Sequence, residues 1–162
     1  QGGLERLQRD VLAFDPDLVT ICFGLNDSGA GREGLEIYAD SLRRMGEEIK
    51  AQTNADLVYI TPNMMLTAVN PKIHENQREL VGPVLERSLA GVLDLYVETM
   101  RAVARELDAA LVDPYKVWRE WEQEGRDINL LLANGINHPG EEGHELVARL
   151  LFEMLKAHCG CR

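Results

Sequence analysis

Cysteine is scarce in this chain, basic charge is outweighed by acidic, and long apolar runs are missing; each shortage removes a class of protein. Three cysteines in 162 residues make no disulfide framework. Cys22 falls inside a predicted strand and reads as a small core hydrophobe, while Cys159-Gly-Cys161 sits at a frayed end and is not read as a metal or redox motif. Lys and Arg number 17 against 27 Asp and Glu, a formal net charge of −10, whereas a nucleic-acid partner requires a basic face. A membrane-spanning helix needs about 20 consecutive apolar residues, and the longest runs here fall far short. The chain opens on Gln1-Gly2-Gly3 with no methionine and no leader, and enters a helical pattern at once. It reads as a truncated sequence, so the missing leader carries no message about compartment.

What is present is an alternation of helix and strand signals, read as one domain over residues 1–162. Apolar residues at Leu4, Leu7, Val11 and Leu12 predict a helix over about Leu4 to Ala13. Leu18 to Phe23 is a short apolar run between turn residues, the pattern of a parallel strand buried on both faces. A Gly-rich loop, Gly24 to Gly34, leads to a helix with Leu35, Tyr38, Leu42, Met45 and Ile49 on one face. A second strand, Leu57 to Thr61, stops at Pro62-Asn63 and gives way to a long polar loop from Met64 to Gly82. A long helix is predicted to bury Leu89, Leu93, Tyr96, Met100, Val103 and Leu107. The third strand is Ala110 to Val112; Val117, Trp118 and Trp121 then mark a short amphipathic helix. The last helix, about Glu141 to Lys156, buries Leu146, Val147, Leu150, Leu151, Met154 and Leu155. Such alternation gives a parallel α/β sandwich with helices on both faces. Three strands are few for that architecture, a second sign that a first strand or strands are missing.

In open parallel sheets ligands bind beyond the carboxyl ends of the strands. Three polar positions lie at or near predicted strand ends or the last helix's entry: Asn26, Asp113 and His138. A side-chain amide such as that of Asn26 can donate to a developing oxyanion, and a His in a loop punctuated by Gly and Pro can act as general base. The plainer readings stand beside these: Asn26 as a turn residue, His138 as a capping or packing residue, and His144, one turn inside the last helix, as a residue that packs or caps there. Trp118, Trp121 and Met64-Met65-Leu66 can line a pocket, but packing suits them better. His138, His144 and Asp113 form no recognised ligand pattern, so no metal and no cofactor is expected.

Gly24-Leu25-Asn26-Asp27 directly after a buried strand resembles the third conserved block of the SGNH hydrolases, the GDSL-type esterases and lipases. Asn134-Gly-Ile-Asn-His-Pro-Gly140, followed by Gly143-His144, resembles their fifth block, which ends in the catalytic His-Pro. Pro16-Asp17-Leu18-Val19 and Ile60-Thr61-Pro62 also fall where that family has similar residues. The resemblance implies a flavodoxin-like, three-layer α/β/α sandwich and ester hydrolysis through an acyl-enzyme. It implies Asn26 as oxyanion donor, His138 as base, and Gly24 as the residue that lets the loop approach the oxyanion.

Two departures qualify that resemblance. The family's Gly-Asp-Ser nucleophile block and its second, Gly-donating block are not in these residues. Of the serines present, Ser41 and Ser88 fall in or beside predicted helices, and Ser28 lies in the oxyanion loop rather than a nucleophile turn. The family's acid commonly stands three residues before the His; here that position is Gly135, with Asn134 one residue earlier. Asn134 in the acid's place offers a carbonyl but no charge, a change that costs about 10⁴ in kcat in the serine-protease example.

The resulting expectation is a serine ester hydrolase acting on a small-molecule ester, whether acyl ester, lipid or acetylated sugar. One rival is a non-catalytic carbohydrate- or protein-binding relative. The other is a phosphate or nucleotide binder using Gly24 to Gly34, a loop that has no lysine to reach a phosphate.

Overall fold

A three-stranded sheet runs in the order β1-β2-β3, with β1 (Leu18–Ile21), β2 (Asp56–Ile60) and β3 (Ala110–Val112). β1 and β2 are parallel, Leu18 opposite Asp56 and Ile21 opposite Tyr59. The computed structural model describes residues 2–158; Cys159 and Cys161 lie outside the described residues. Six helices accompany the strands among these residues: α1 (Gly2–Asp10), α2 (Leu35–Gln52), α3 (Arg78–Leu89), α4 (Val92–Glu106), α5 (Pro114–Gln123) and α6 (Glu141–His158). This is the α/β class that the alternation predicts. The chain divides into two compact units, Gln1–Thr61 with Asp94–Leu111, and Pro62–Leu93 with Val112–Arg162.

In the first unit β2 is the strand buried on both faces, Leu57 through Ile60 being 0–6% exposed. β1 instead alternates: Val19 and Ile21 are buried, Leu18 and Thr20 are not. The correction has a positional cause, because β1 stands at the end of the strand order and β2 in its middle. Cys22 follows the same pattern and is exposed rather than part of the core. Along α2 the 3.6-residue period holds, burying Tyr38, Leu42, Met45 and Ile49. The Tyr59 hydroxyl donates to the Leu42 carbonyl at 2.9 Å, so a buried phenol secures β2 to this helix. Arg43 grips Glu106 with two bonds of 2.7 and 3.0 Å, joining α2 to the end of α4.

The second unit departs further from the sequence pattern. The stretch expected as a polar loop from Met64 to Gly82 begins with three core residues, Met64, Met65 and Leu66, at 3%, 1% and 0% exposure. It ends inside a helix, since α3 starts at Arg78 and runs through Gly82 and Pro83 at the cost of one ladder hydrogen bond. The single long helix expected next is two helices, α3 and α4, parted at Ala90-Gly91. Leu89 ends α3 at 67% exposure, whereas Leu93 at the start of α4 is buried as expected, as are Tyr96, Met100 and Val103 in the part of α4 that belongs to the first unit. Periodicity runs on through a break of two residues, so only the glycine hinted at it. In α5 Trp118 is fully buried, and Asp113 caps the helix by accepting the Lys116 amide at 3.2 Å. α6 buries Leu146 fully, with Val147, Leu150, Leu151, Met154 and Leu155 half-buried.

Candidate active site

The first unit carries Asn26 on a turn that closes on itself. Gly24 sits at φ 117°, a conformation open to glycine and strained for any residue with a Cβ. Its amide donates to the Asp27 carboxylate at 2.9 Å, and its carbonyl accepts the Ser28 amide at 2.9 Å. The Ser28 hydroxyl donates to the Leu25 carbonyl at 2.6 Å and is fully buried. Two tyrosines fix the ends of the loop: Tyr38 donates to the Phe23 carbonyl at 3.2 Å, and Tyr96 to the Gly31 carbonyl at 2.8 Å. Burial, aided by the charge of Asp27, pushes both phenols up in pKa and keeps them as donors. Asn26 is left exposed, its side-chain amide without a partner among the described residues, on the wall of a cavity of about 250 Å³ that Gly3, Arg6, Phe23 and Met45 also line.

The second unit carries His138 on a loop held from outside itself. Asn134 is the hub. Its Oδ1 accepts the backbone amides of Ile136, Asn137 and His138, each at 3.0 Å, while its Nδ2 donates to Asn137 Oδ1 at 3.1 Å. Three converging N–H donors fix which end of this amide is oxygen. The carbonyls of the loop are also taken: Gly135 by Asn70 Nδ2 at 2.7 Å, Ile136 by the Leu66 amide at 2.8 Å, Asn137 by Asn63 Nδ2 at 2.9 Å, and His138 by the Ala133 amide at 2.7 Å. An antiparallel bridge between Leu132 and Pro139 closes its base, and α6 follows at Glu141.

The His138 ring is exposed and has no hydrogen bond or ion pair among the described residues. Asn134 therefore stands beside His138 in sequence and serves its backbone. Gly135, at the three-residue spacing, has φ +68°, and a Cβ there would meet Asn70 Oδ1 at 2.6 Å and the Ile73 amide nitrogen at 2.9 Å. His144, expected to pack or cap, is instead exposed on α6, only its backbone amide bonding back to Gly140. Asp113 is the cap of α5, and Trp118 and Met64 to Leu66 are core. Among the described residues no group of three or more His, Cys, Asp or Glu side chains is placed to hold a metal. Asp27, Asn63 and Asn70 went unread in the sequence. Asp27 was legible as a turn-closing acid three residues after a glycine, but nothing in the sequence marks Asn63 or Asn70 as partners of a loop more than sixty residues away.

Solved structures of similar fold share little sequence with this chain. Axe2, an acetylxylan esterase from Geobacillus stearothermophilus, superposes with a TM-score of 0.69 at 22% identity, over 99% of this chain and 67% of its own. Catalytic mutants of Axe2 replace an aspartate and a histidine three positions apart. A lipase/acylhydrolase from Enterococcus faecalis gives 0.72 at 22% identity, over 96% of this chain and 69% of its own. LAE5, an α/β hydrolase enzyme from the metagenome of Lake Arreo, Spain, gives 0.67 at 21%, over 93% and 65%. This chain thus spans about two thirds of the length of these structures. No curated protein sequence matches it. The family model of the GDSL-like lipases and acylhydrolases matches residues 1–146, most of the chain, and the chain belongs to that family.

Proposed function

We propose that the protein hydrolyses carboxylic esters through a serine acyl-enzyme, with His138 as general base, Asn26 as oxyanion donor, and the nucleophilic serine supplied by residues outside these 162. The observation that carries this reading is the contrast within one loop. Every carbonyl from Gly135 to His138 is hydrogen-bonded, yet the one titratable ring there is left without a partner. A backbone so fully committed around a free imidazole suits a residue that must meet a reacting group. Asn26 supports the reading in the same way, as a free amide donor on a closed turn.

His138 takes the proton from the serine hydroxyl as its oxygen bonds to the ester carbon. The electron pair moves onto the carbonyl oxygen, which Asn26 holds through its amide N–H. Collapse of this intermediate breaks the bond to the alcohol, which leaves with the proton from His138. Water repeats the sequence and releases the acid. Gly24 lets the loop approach the oxyanion. Asn134, in the acid's place, acts on the backbone amide of His138, and Gly135 offers no side chain at the spacing that the Axe2 mutants define. Among the described residues no carboxylate meets the His138 ring, and its loop orients it. Substrates are small acyl esters, lipids or acetylated sugars.

One observation favours a second reading. Neither Asn134 nor Gly135 supplies charge to an imidazolium, which suits a non-catalytic carbohydrate- or protein-binding relative. Hydrolysis of p-nitrophenyl acetate, with and without a serine-directed phosphonate, separates the two. Residues 1–162 alone are expected to give no phosphonate-sensitive turnover. The protein carrying a Gly-Asp-Ser block about forty residues earlier is expected to turn over and to be labelled on that serine. An upstream strand without serine, and no turnover, overturns the enzyme reading; a labelled Ser28 overturns the assignment of the nucleophile.

A further inference from the structure

We propose that Asn63 and Asn70 are positioning residues for the base: two side-chain amides that aim the His138 ring by gripping the carbonyls of Asn137 and Gly135, without touching substrate. The proposal rests on His138 being the base. Within the stretch 63–70, three donors meet three successive carbonyls of the His138 loop. Asn70 takes Gly135 at 2.7 Å, the Leu66 amide takes Ile136 at 2.8 Å, and Asn63 takes Asn137 at 2.9 Å.

That stretch is itself rigid. Met64, Met65 and Leu66 are buried, and Asn129 Oδ1 accepts the Thr67 and Ala68 amides at 2.8 and 3.2 Å. Asn63 Nδ2 also faces the Met64 carbonyl at 2.8 Å, and Asn70 Oδ1 accepts the Lys72 amide at 3.1 Å; these neighbours fix which end of each amide donates.

Fixing the carbonyls fixes the peptide planes between residues 135 and 138, and with them the direction in which His138 leaves the backbone. Asn134 holds the same peptides from their N–H side, so each plane is held at both ends. A regular strand pairing would satisfy the same groups but would also straighten the loop. Side-chain amides reach across while leaving it curled around Asn134. An imidazole that no carboxylate orients depends on its backbone for aim, and a misplacement of about 1 Å can cost about 10² in rate.

The test uses the whole enzyme with its serine block, measuring kcat and KM for Asn63→Ala, Asn70→Ala and the double variant beside His138→Ala. Each single change is expected to lower kcat about 10- to 100-fold with KM within about twofold. The double variant is expected to lose less than the product, since both amides hold one loop. Asn63→Asp carries the test if the alanine variants do not fold. It keeps the size of the side chain and replaces the donor by an acceptor, so at neutral pH kcat falls to a similar extent with KM again within about twofold.

His138→Ala separates the two claims. Retained turnover in that variant, or no turnover in the unmodified enzyme, overturns the base reading and this proposal with it. Loss of turnover in His138→Ala, with kcat of the asparagine variants within about twofold of the parent, overturns the positioning role alone. So does a fall in thermal stability with kcat intact.

Discussion

The Asn26 turn and the His138 loop solve one problem, holding a polar side chain free on a fixed backbone, by different means. The Asn26 turn closes through contacts at most four residues apart, with buried tyrosines added only at its ends. The His138 loop takes its decisive bonds from Asn63, Leu66 and Asn70, which reach it across 65 to 74 residues of chain. Local closure survives changes elsewhere. Closure from a distance makes the loop a reporter on the packing of its partner segment.

The largest effect expected on that comparison is from His138→Ala. In the whole enzyme it should lower kcat by about 10²–10⁴, as removal of a general base does, while His144→Ala keeps most of the rate; a reversed order in steady-state assays would mean the block is misaligned. Asn26→Ala should follow with about 10²–10³ in kcat and little change in KM, since an oxyanion donor acts on the transition state. An unchanged kcat in a folded variant returns Asn26 to the role of a turn residue.

Two glycine replacements sharpen the contrast between the loops. Gly24→Ala and Gly135→Ala both meet a positive φ, worth roughly 1–2 kcal/mol in thermal or denaturant unfolding. Gly135→Ala should cost more, because its Cβ also collides with Asn70 and with the Ile73 backbone. Equal losses would show that the reach from Asn70 is slack. Asn134→Asp should have the smallest effect. A carboxylate keeps the three amide bonds and adds a negative charge near the base, so kcat should rise modestly, and the acid limb of the pH–rate profile should move to higher pH because that charge favours imidazolium. A profile and rate unchanged from the parent would leave the base served by its backbone alone.

Much of the fold was legible from short-range patterns. The apolar period of α2 placed Tyr38, Leu42, Met45 and Ile49 on its buried face, and β3 fell on Ala110–Val112 as expected. Errors arose where tertiary position overrode local pattern. Leu18 to Phe23 and Leu57 to Thr61 look alike as sequence, yet the first lies at the end of the strand order and the second in its middle, so only the second is buried on both faces. Met64 to Leu66 stand at the head of a stretch expected as a polar loop, and they are core, in line with the packing reading of their side chains.

The candidate site divides along the same line. Gly24 and Asn26 could be read directly because a glycine, an asparagine and an acid within four residues define their own turn. His138 could be named from its Asn-His-Pro setting and Asn134 from its spacing. What Asn134 does could not, since an asparagine oxygen accepts from whichever donors the fold delivers, and here those are three backbone amides. The sequence by itself determined the α/β class, the family and the turn that carries Asn26, because periodicity and turn chemistry act over a few residues. Only the tertiary structure decided which strand is buried and which asparagines hold the His138 loop, because hydrogen bonds between residues more than sixty positions apart exist only once the chain has brought them together.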